Sequence, residues 1–198
     1  MTPIRKRLLI AAAALAVATP LLGAAAWQFL PALRAEAEEG LGRGDYRLVS
    51  AHGSVFTEDT LEGAPSAVFF GFTHCPEVCP TTLGEISFWM EELGEEAGDL
   101  RVFFVTVDPE RDTPEVLGDY VSWVDRVTAV TGEPAEIAKA IKAFKVYAAK
   151  VPLGEGGYTM DHSALVMLFD AHGRYADLIR YQEDPATVLP KLRKLVAG

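Results

Sequence analysis

The residues with the most chemistry to offer sit in one stretch. Cys75 and Cys79 are the only cysteines among 198 residues, with three residues between them. Residues four apart in a helical turn share one face and lie about 6 Å apart along the axis, so two thiols at that spacing can close a disulfide or grip one metal ion. The pair falls where a buried strand gives way to a helix. Residues 67–72 (AVFFGF) are an apolar, aromatic run of strand length. Pro80 suits a first helical turn, where its missing N–H costs nothing, and apolar residues then recur at Ile86, Trp89, Met90 and Leu93. A helix N-terminus favours thiolate over thiol, because its unpaired N–H groups and dipole stabilise negative charge. A structural disulfide closing so short a loop adds little stability, so the spacing points to reactivity.

The second informative stretch is residues 158–163 (YTMDHS), which follows a glycine-rich loop at 153–157 and precedes a strand at 164–169. A lone histidine ahead of a strand, such as His162, is ordinarily a polar residue satisfied by its neighbours. Met160 reads as a loop anchor packed on the core, although a thioether can bind a soft metal ion. His52 and His172 fall on turns. His74, beside Cys75, is expected to point away from it, because neighbours on a turn diverge. Asp108, Arg111 and Asp112 read as an ion-pair network supporting the cysteine loop.

The elements that must position these groups alternate. Two short strands, 46–49 and 54–57, flank a turn at His52-Gly53. After the cysteine helix comes a second buried strand, 100–107 (LRVFFVTV). Thr113 is placed as an N-cap with Pro114 at the first helical position and Glu115 behind it. That helix is expected to bury Val116, Leu117, Tyr120 and Val121, with Trp123 and Val124 extending its apolar side. A strand at 127–131 and a helix at 134–144, with the stripe Ile137, Ala138, Ile141 and Phe144, follow. Residues 145–152 are an extended piece. A hairpin turn at 171–173 leads into 175–181, and Asp184-Pro185 starts a closing helix. The pattern implies an α/β sheet with covered faces.

Composition bounds the setting. Arg5, Lys6 and Arg7 precede an uncharged run from residue 8 to residue 33, 26 residues in all. A spanning helix needs about 20 apolar residues, against about 7–15 for the core of a cleaved signal. Residues 1–34 therefore read as a basic cytoplasmic end and a membrane anchor, with 35–44 as linker and 45–198 as the working domain on the exported side. Ala24-Ala25-Ala26 leaves a cleavage site as the alternative. All 28 acidic side chains lie beyond residue 34, whereas four of the 18 basic ones lie within residues 1–34. That acidic balance, with no basic stripe, argues against nucleic acid. Glu91, Glu92, Glu95, Glu96 and Asp99 read as a solvated face.

Three motifs together, FGFTHCPEVCPTTL (70–83), VDPERDT (107–113) and DHS (161–163), resemble the Sco/SenC family of copper proteins, and the match runs in order through most of residues 45–195. Ser163 stands where threonine is common in that family, and Met160 where a β-branched residue is. The resemblance implies an α/β, thioredoxin-like fold with an N-terminal β-hairpin extension and one N-terminal transmembrane helix. It implies that Cys75, Cys79 and His162 bind one copper. Beside them, Asp161 is expected to orient the site or tune its charge and Tyr158 to line the same loop, and the adjacent glycine-rich loop would let His162 swing as metal comes and goes. Two thiolates and an imidazole suit Cu(I) and can also hold Cu(II), whereas structural zinc usually wants a fourth protein ligand. The implied role is that of a metallochaperone in a bacterial inner membrane. It would work in the periplasm and deliver copper to the dinuclear site of cytochrome c oxidase subunit II, with a second periplasmic copper chaperone and a thioredoxin-like reductant as further partners. The alternatives are a thiol–disulfide oxidoreductase in which Cys75 and Cys79 cycle as a redox pair, and a thiol peroxidase, for which no peroxide-specific signature is present.

Overall fold

The computed structural model describes residues 40–198. The expected anchor, residues 1–34, and most of the connector lie outside the described residues. Among the described residues no helix is long and apolar enough to cross a membrane.

The fold is built outward from β3 (Ser66–Gly71), every position of which is buried. A strand buried on both faces must have neighbours on both edges and helices or loops over both faces. On one edge lies β4 (Arg101–Thr106), parallel, with Gly71 opposite Thr106; on the other lies β8 (Leu165–Phe169), antiparallel, with Phe69 opposite Val166. Parallel β5 (Val127–Thr131) extends the sheet past β4. Antiparallel β9 (Tyr175–Arg180) closes the far edge. The expected N-terminal hairpin, β1 (Leu48–Ser50) and β2 (Val55–Phe56), adds to β5, giving the order β2-β1-β5-β4-β3-β8-β9.

The helices fall where the capping signals put them. Helix α1 (Val78–Leu93) carries the cysteine helix stripe. Helix α2 (Pro114–Val121) starts at Thr113, whose side chain accepts from Val116 N, and α3 (Pro134–Ala143) starts on its proline. Helix α4 (Pro185–Ala197) is capped by Asp184, whose carboxylate accepts from Ala186 N.

Three expectations are corrected. Val116 and Trp123 do not face the core: they are 41 % and 55 % exposed. Helix α2 stops at Val121, and the Trp123 indole N–H donates back to Tyr120 O at 3.0 Å, which keeps the ring on the surface. On α3 the buried positions are Ile137 and Ala140, while Ala138 faces solvent, because the stripe follows the 3.6-residue turn. Residues 40–44 are part of the body: Gly42 N donates to Ala143 O, Gly44 N donates to Glu58 Oε2, and Tyr46 Oη donates to Gly42 O.

The most consequential difference lies at 145–163. The extended piece and the histidine stretch pair with each other as β6 (Ala148–Pro152) and β7 (Tyr158–His162), a separate two-stranded arm outside the main sheet. Neither strand alternates apolar and polar residues cleanly, which hides the pairing from periodicity.

Candidate metal centre

Topology brings the site together. The parallel pairing of β3 with β4 sends residues 72–77 and 107–113 off the same end of the sheet. The antiparallel pairing of β3 with β8 brings the start of β8, and with it the end of β7, to that same end. His162 thus reaches Cys79 across 83 residues of sequence, with Nε2 3.6 Å from Sγ. One atom from each of Cys75, Cys79 and His162 lies within 4.8 Å of the others. Three donor atoms about 2.3 Å from one metal stand about 4 Å apart, so a contraction of under about 1 Å lets all three bind one ion.

The cysteines are unequal. Cys75 lies in the turn before α1, with its N–H on Phe72 O, and Cys79 lies in the first turn of α1. Both are free thiols. Cys79 N donates to Cys75 Sγ at 3.3 Å, so the sulfur takes the place of a capping oxygen that Glu77 does not supply. The Cys79 thiol also donates to Cys75. That bond, helped by His162 and by backbone N–H groups of Cys79 and Glu77, pulls Cys75 well below the ordinary thiol range against the opposing effect of burial. Cys79 is pushed far up, first because it holds the shared proton and then because it is fully buried. Within the reduced pair thiolate is therefore favoured on Cys75, the sulfur that keeps 9 % exposure, and disfavoured on Cys79.

The imidazole is oriented from behind. His162 Nδ1 lies 3.1 Å from Ser163 O, which sets Nε2 toward the sulfurs, and the ring stands edge-on to Phe72 at 5.7 Å. Asp161, the expected support, is exposed on β7, one residue out of phase with His162, and among the described residues no hydrogen bond ties it to the cluster. The Ser163 carbonyl takes that role, and a backbone acceptor leaves no signal in sequence. Met160 is half-buried against the core, as expected of an anchor. His74 is exposed and bonds Thr73 Oγ1 through Nδ1, so it is not drawn into the cluster.

The expected ion-pair network is two separate supports. Asp112, fully buried, accepts from Thr73 N at 3.1 Å, Thr73 Oγ1 at 2.5 Å and Thr106 Oγ1 at 2.6 Å, and so fixes the cysteine loop by hydrogen bonds. Asp108 and Arg111 form an ion pair and face the histidine arm: Tyr158 Oη donates to Asp108 at 2.8 Å and Arg111 Nη1 donates to Tyr158 O at 3.0 Å. Gly71 went unremarked in sequence. A Cβ there would lie 2.9 Å from Cys79 Sγ and 2.7 Å from Phe104 Cε2. The Tyr120 hydroxyl, on α2, is buried and has no hydrogen-bond partner among the described residues.

Comparison with known proteins agrees with this geometry. The SCO1/SenC family profile matches residues 34–197. A SCO2-like protein of Rickettsia felis is 34% identical over 153 residues, covering 76% of this chain and 75% of its own. Mitochondrial SCO1 of Saccharomyces cerevisiae is 34% identical over 166 residues, 80% of this chain and 56% of that protein. Among solved structures, Bradyrhizobium japonicum ScoI with copper bound superposes with a TM-score of 0.71 at 41% identity, covering 78% of this chain and 99% of that one. Yeast Sco1 with copper bound gives 0.73 at 33% identity, covering 80% and 90%. The fold is the thioredoxin-like α/β fold of those proteins, and the chain belongs to the SCO1/SenC family.

Proposed function

We propose that this protein binds one copper ion through Cys75, Cys79 and His162 and hands it on during assembly of cytochrome c oxidase, with the dinuclear site of subunit II as recipient. The observation that carries the reading is the convergence of two sulfurs and one imidazole nitrogen within 4.8 Å, drawn from two separate parts of the chain. Soft sulfur donors with a single nitrogen match Cu(I), and three ligands leave one side of the ion open to an incoming thiol of the acceptor. The copper-bound state of ScoI and of yeast Sco1 supports the same choice of metal. Residues 1–34 anchor the domain to the bacterial inner membrane, facing the periplasm, where a copper donor and a thioredoxin-like reductant keep the pair loaded and reduced. The reading is that of a carrier before that of an enzyme.

A second reading has its own observation. The unequal cysteine pair, with thiolate favoured on Cys75, is suited to attack a disulfide through that sulfur, the mixed disulfide then being resolved by Cys79. In that role the protein reduces the cysteines of the oxidase site. The two readings separate by titrating the reduced full-length chain anaerobically with Cu(I) against a competing chelator, beside His162→Ala. The carrier reading expects one tightly held ion and a loss of about tenfold or more in affinity in the variant, equal to about 1.4 kcal/mol or more. Copper binding indifferent to His162, alongside rapid disulfide exchange, would leave the reductase.

A further inference from the structure

The arm that carries His162 is fastened to the body at few points. No residue of β6 or β7 is buried, and the two strands pair only with each other. Ala148 and Met160 rest against the core. The ion pair of Lys150 with Glu110, at 2.5 Å, is about half exposed on both sides and so holds weakly. One contact is of a different kind. Arg111 donates Nη1 to Tyr158 O at 3.0 Å, and its guanidinium lies 3.9 Å from the centre of the Tyr158 ring. Its other side is paired to Asp108, whose side chain is wholly buried and also accepts from Tyr158 Oη at 2.8 Å. The same guanidinium stands 5.9 Å from the Phe72 ring, the ring against which His162 is set edge-on.

We propose that Arg111 is a positioning residue for His162: anchored on Asp108, it clasps Tyr158 at the head of β7 and so holds the arm where the imidazole meets the two sulfurs. The proposal rests on the copper reading for its consequence but not for its geometry. Tyr158 and His162 are four residues apart on one strand and therefore share a face, so a clasp at one sets the height of the other. A stacked guanidinium with a charge-assisted hydrogen bond keeps the arm seated yet can release as a unit, since nothing in the main sheet is broken when it lifts. Opening the clasp takes the imidazole away from the ion and leaves the cysteines behind, which is the step a carrier needs at the moment of transfer.

The test breaks the clasp from the arm's side. Tyr158→Ala removes the stacked ring and the Oη bond to Asp108, keeps only the Arg111 bond to the carbonyl of residue 158, and leaves Arg111 paired to Asp108 in the body. In the metal-free protein, hydrogen exchange at the amides of β6 and β7 should quicken by about tenfold or more, the scale of one lost charge-assisted contact, while β3 and β4 stay protected. Cu(I) affinity should fall about tenfold, and Tyr158→Ala combined with His162→Ala should bind copper no more weakly than His162→Ala alone. Arg111→Lys, which retains charge but neither stacks nor forks in the same way, should give a smaller change of the same sign. Unchanged exchange in the arm overturns the clasp whatever copper does. An equal copper loss with and without His162 overturns the positioning role. Wild-type protein that holds no copper defeats the function proposed above, while the exchange result still decides the clasp.

Discussion

Gly71→Ala is the sharpest probe of how the sheet and the cysteine pair share space. Gly71 ends β3, and its φ is not positive, so alanine can adopt the backbone and the cost is steric. The new methyl would stand 2.7 and 2.9 Å from two atoms of the Phe104 ring and 2.9 Å from Cys79 Sγ. Carbon atoms pack best at about 3.5–4.0 Å, so the overlap is about 1 Å on two sides at once. Neither neighbour has room to yield. Phe104 and Cys79 are both 0 % exposed, and the ring is bracketed by Phe69 and Tyr120, with centroids at 5.6 and 5.7 Å. Overpacking of this kind costs about 1–3 kcal/mol, and two rigid clashes put it near the top. Lower entropy of the unfolded alanine chain returns about 0.4–1 kcal/mol. The net loss is about 2 kcal/mol, which in a domain of this size lowers the melting temperature by about 4–8 °C. Because the methyl presses on one of the two sulfurs proposed to hold copper, copper affinity should fall with stability. Thermal melting of the reduced protein and chelator competition read both effects. Gly84→Ala is the control: it lies within α1 with nothing within 4 Å of a Cβ, and should stabilise by about 0.5–1 kcal/mol. A Gly71→Ala protein with the melting temperature and copper affinity of wild type would refute the reasoning.

Other perturbations have defined signs. Asp112→Ala removes the acceptor of three donors, of which the Thr73 N–H cannot rotate to another, and should cost about 2–4 kcal/mol in urea unfolding. A loss under 1 kcal/mol would mean that water replaces the carboxylate. Tyr120→Phe deletes a buried hydroxyl that has no hydrogen-bond partner among the described residues and should leave the urea midpoint unchanged or raised; a clear drop would reveal a partner for that oxygen. Glu183 is held below its ordinary 4.5 by the Arg180 N–H at 2.9 Å and by Lys191 at 2.7 Å. A lowered folded value contributes stability that is complete above the unfolded value and lost as pH falls through the folded one. Glu183→Gln should therefore flatten the decline in melting temperature below about pH 4.5, and an unaltered acid limb would show that the pair contributes nothing.

Much of this protein was legible before any coordinates, and the reason lies in range. Signals that act within a few residues survived intact: the buried runs that became β3 and β4, Thr113 and Asp184 as caps, and the two cysteines at a strand–helix junction. Each rests on local sterics or on burial of a contiguous run, so tertiary contacts had only to agree. The three motifs placed the chain in its family because residue identity at fixed spacing carries that information directly. What the sequence could not decide were relations across distance. His162 faces the sulfurs only because β8 runs antiparallel to β3, and its orientation depends on a backbone carbonyl rather than on Asp161. Asp108 and Asp112, four residues apart, serve different halves of the site, since one faces the arm and the other the cysteine loop. The β6–β7 arm lacks the alternation that marks a strand, because it rests on the body instead of being buried in it. The sequence by itself determined which groups could do the chemistry; only the tertiary structure determined which of them meet, because pairing across the sheet sets distances that no local preference encodes.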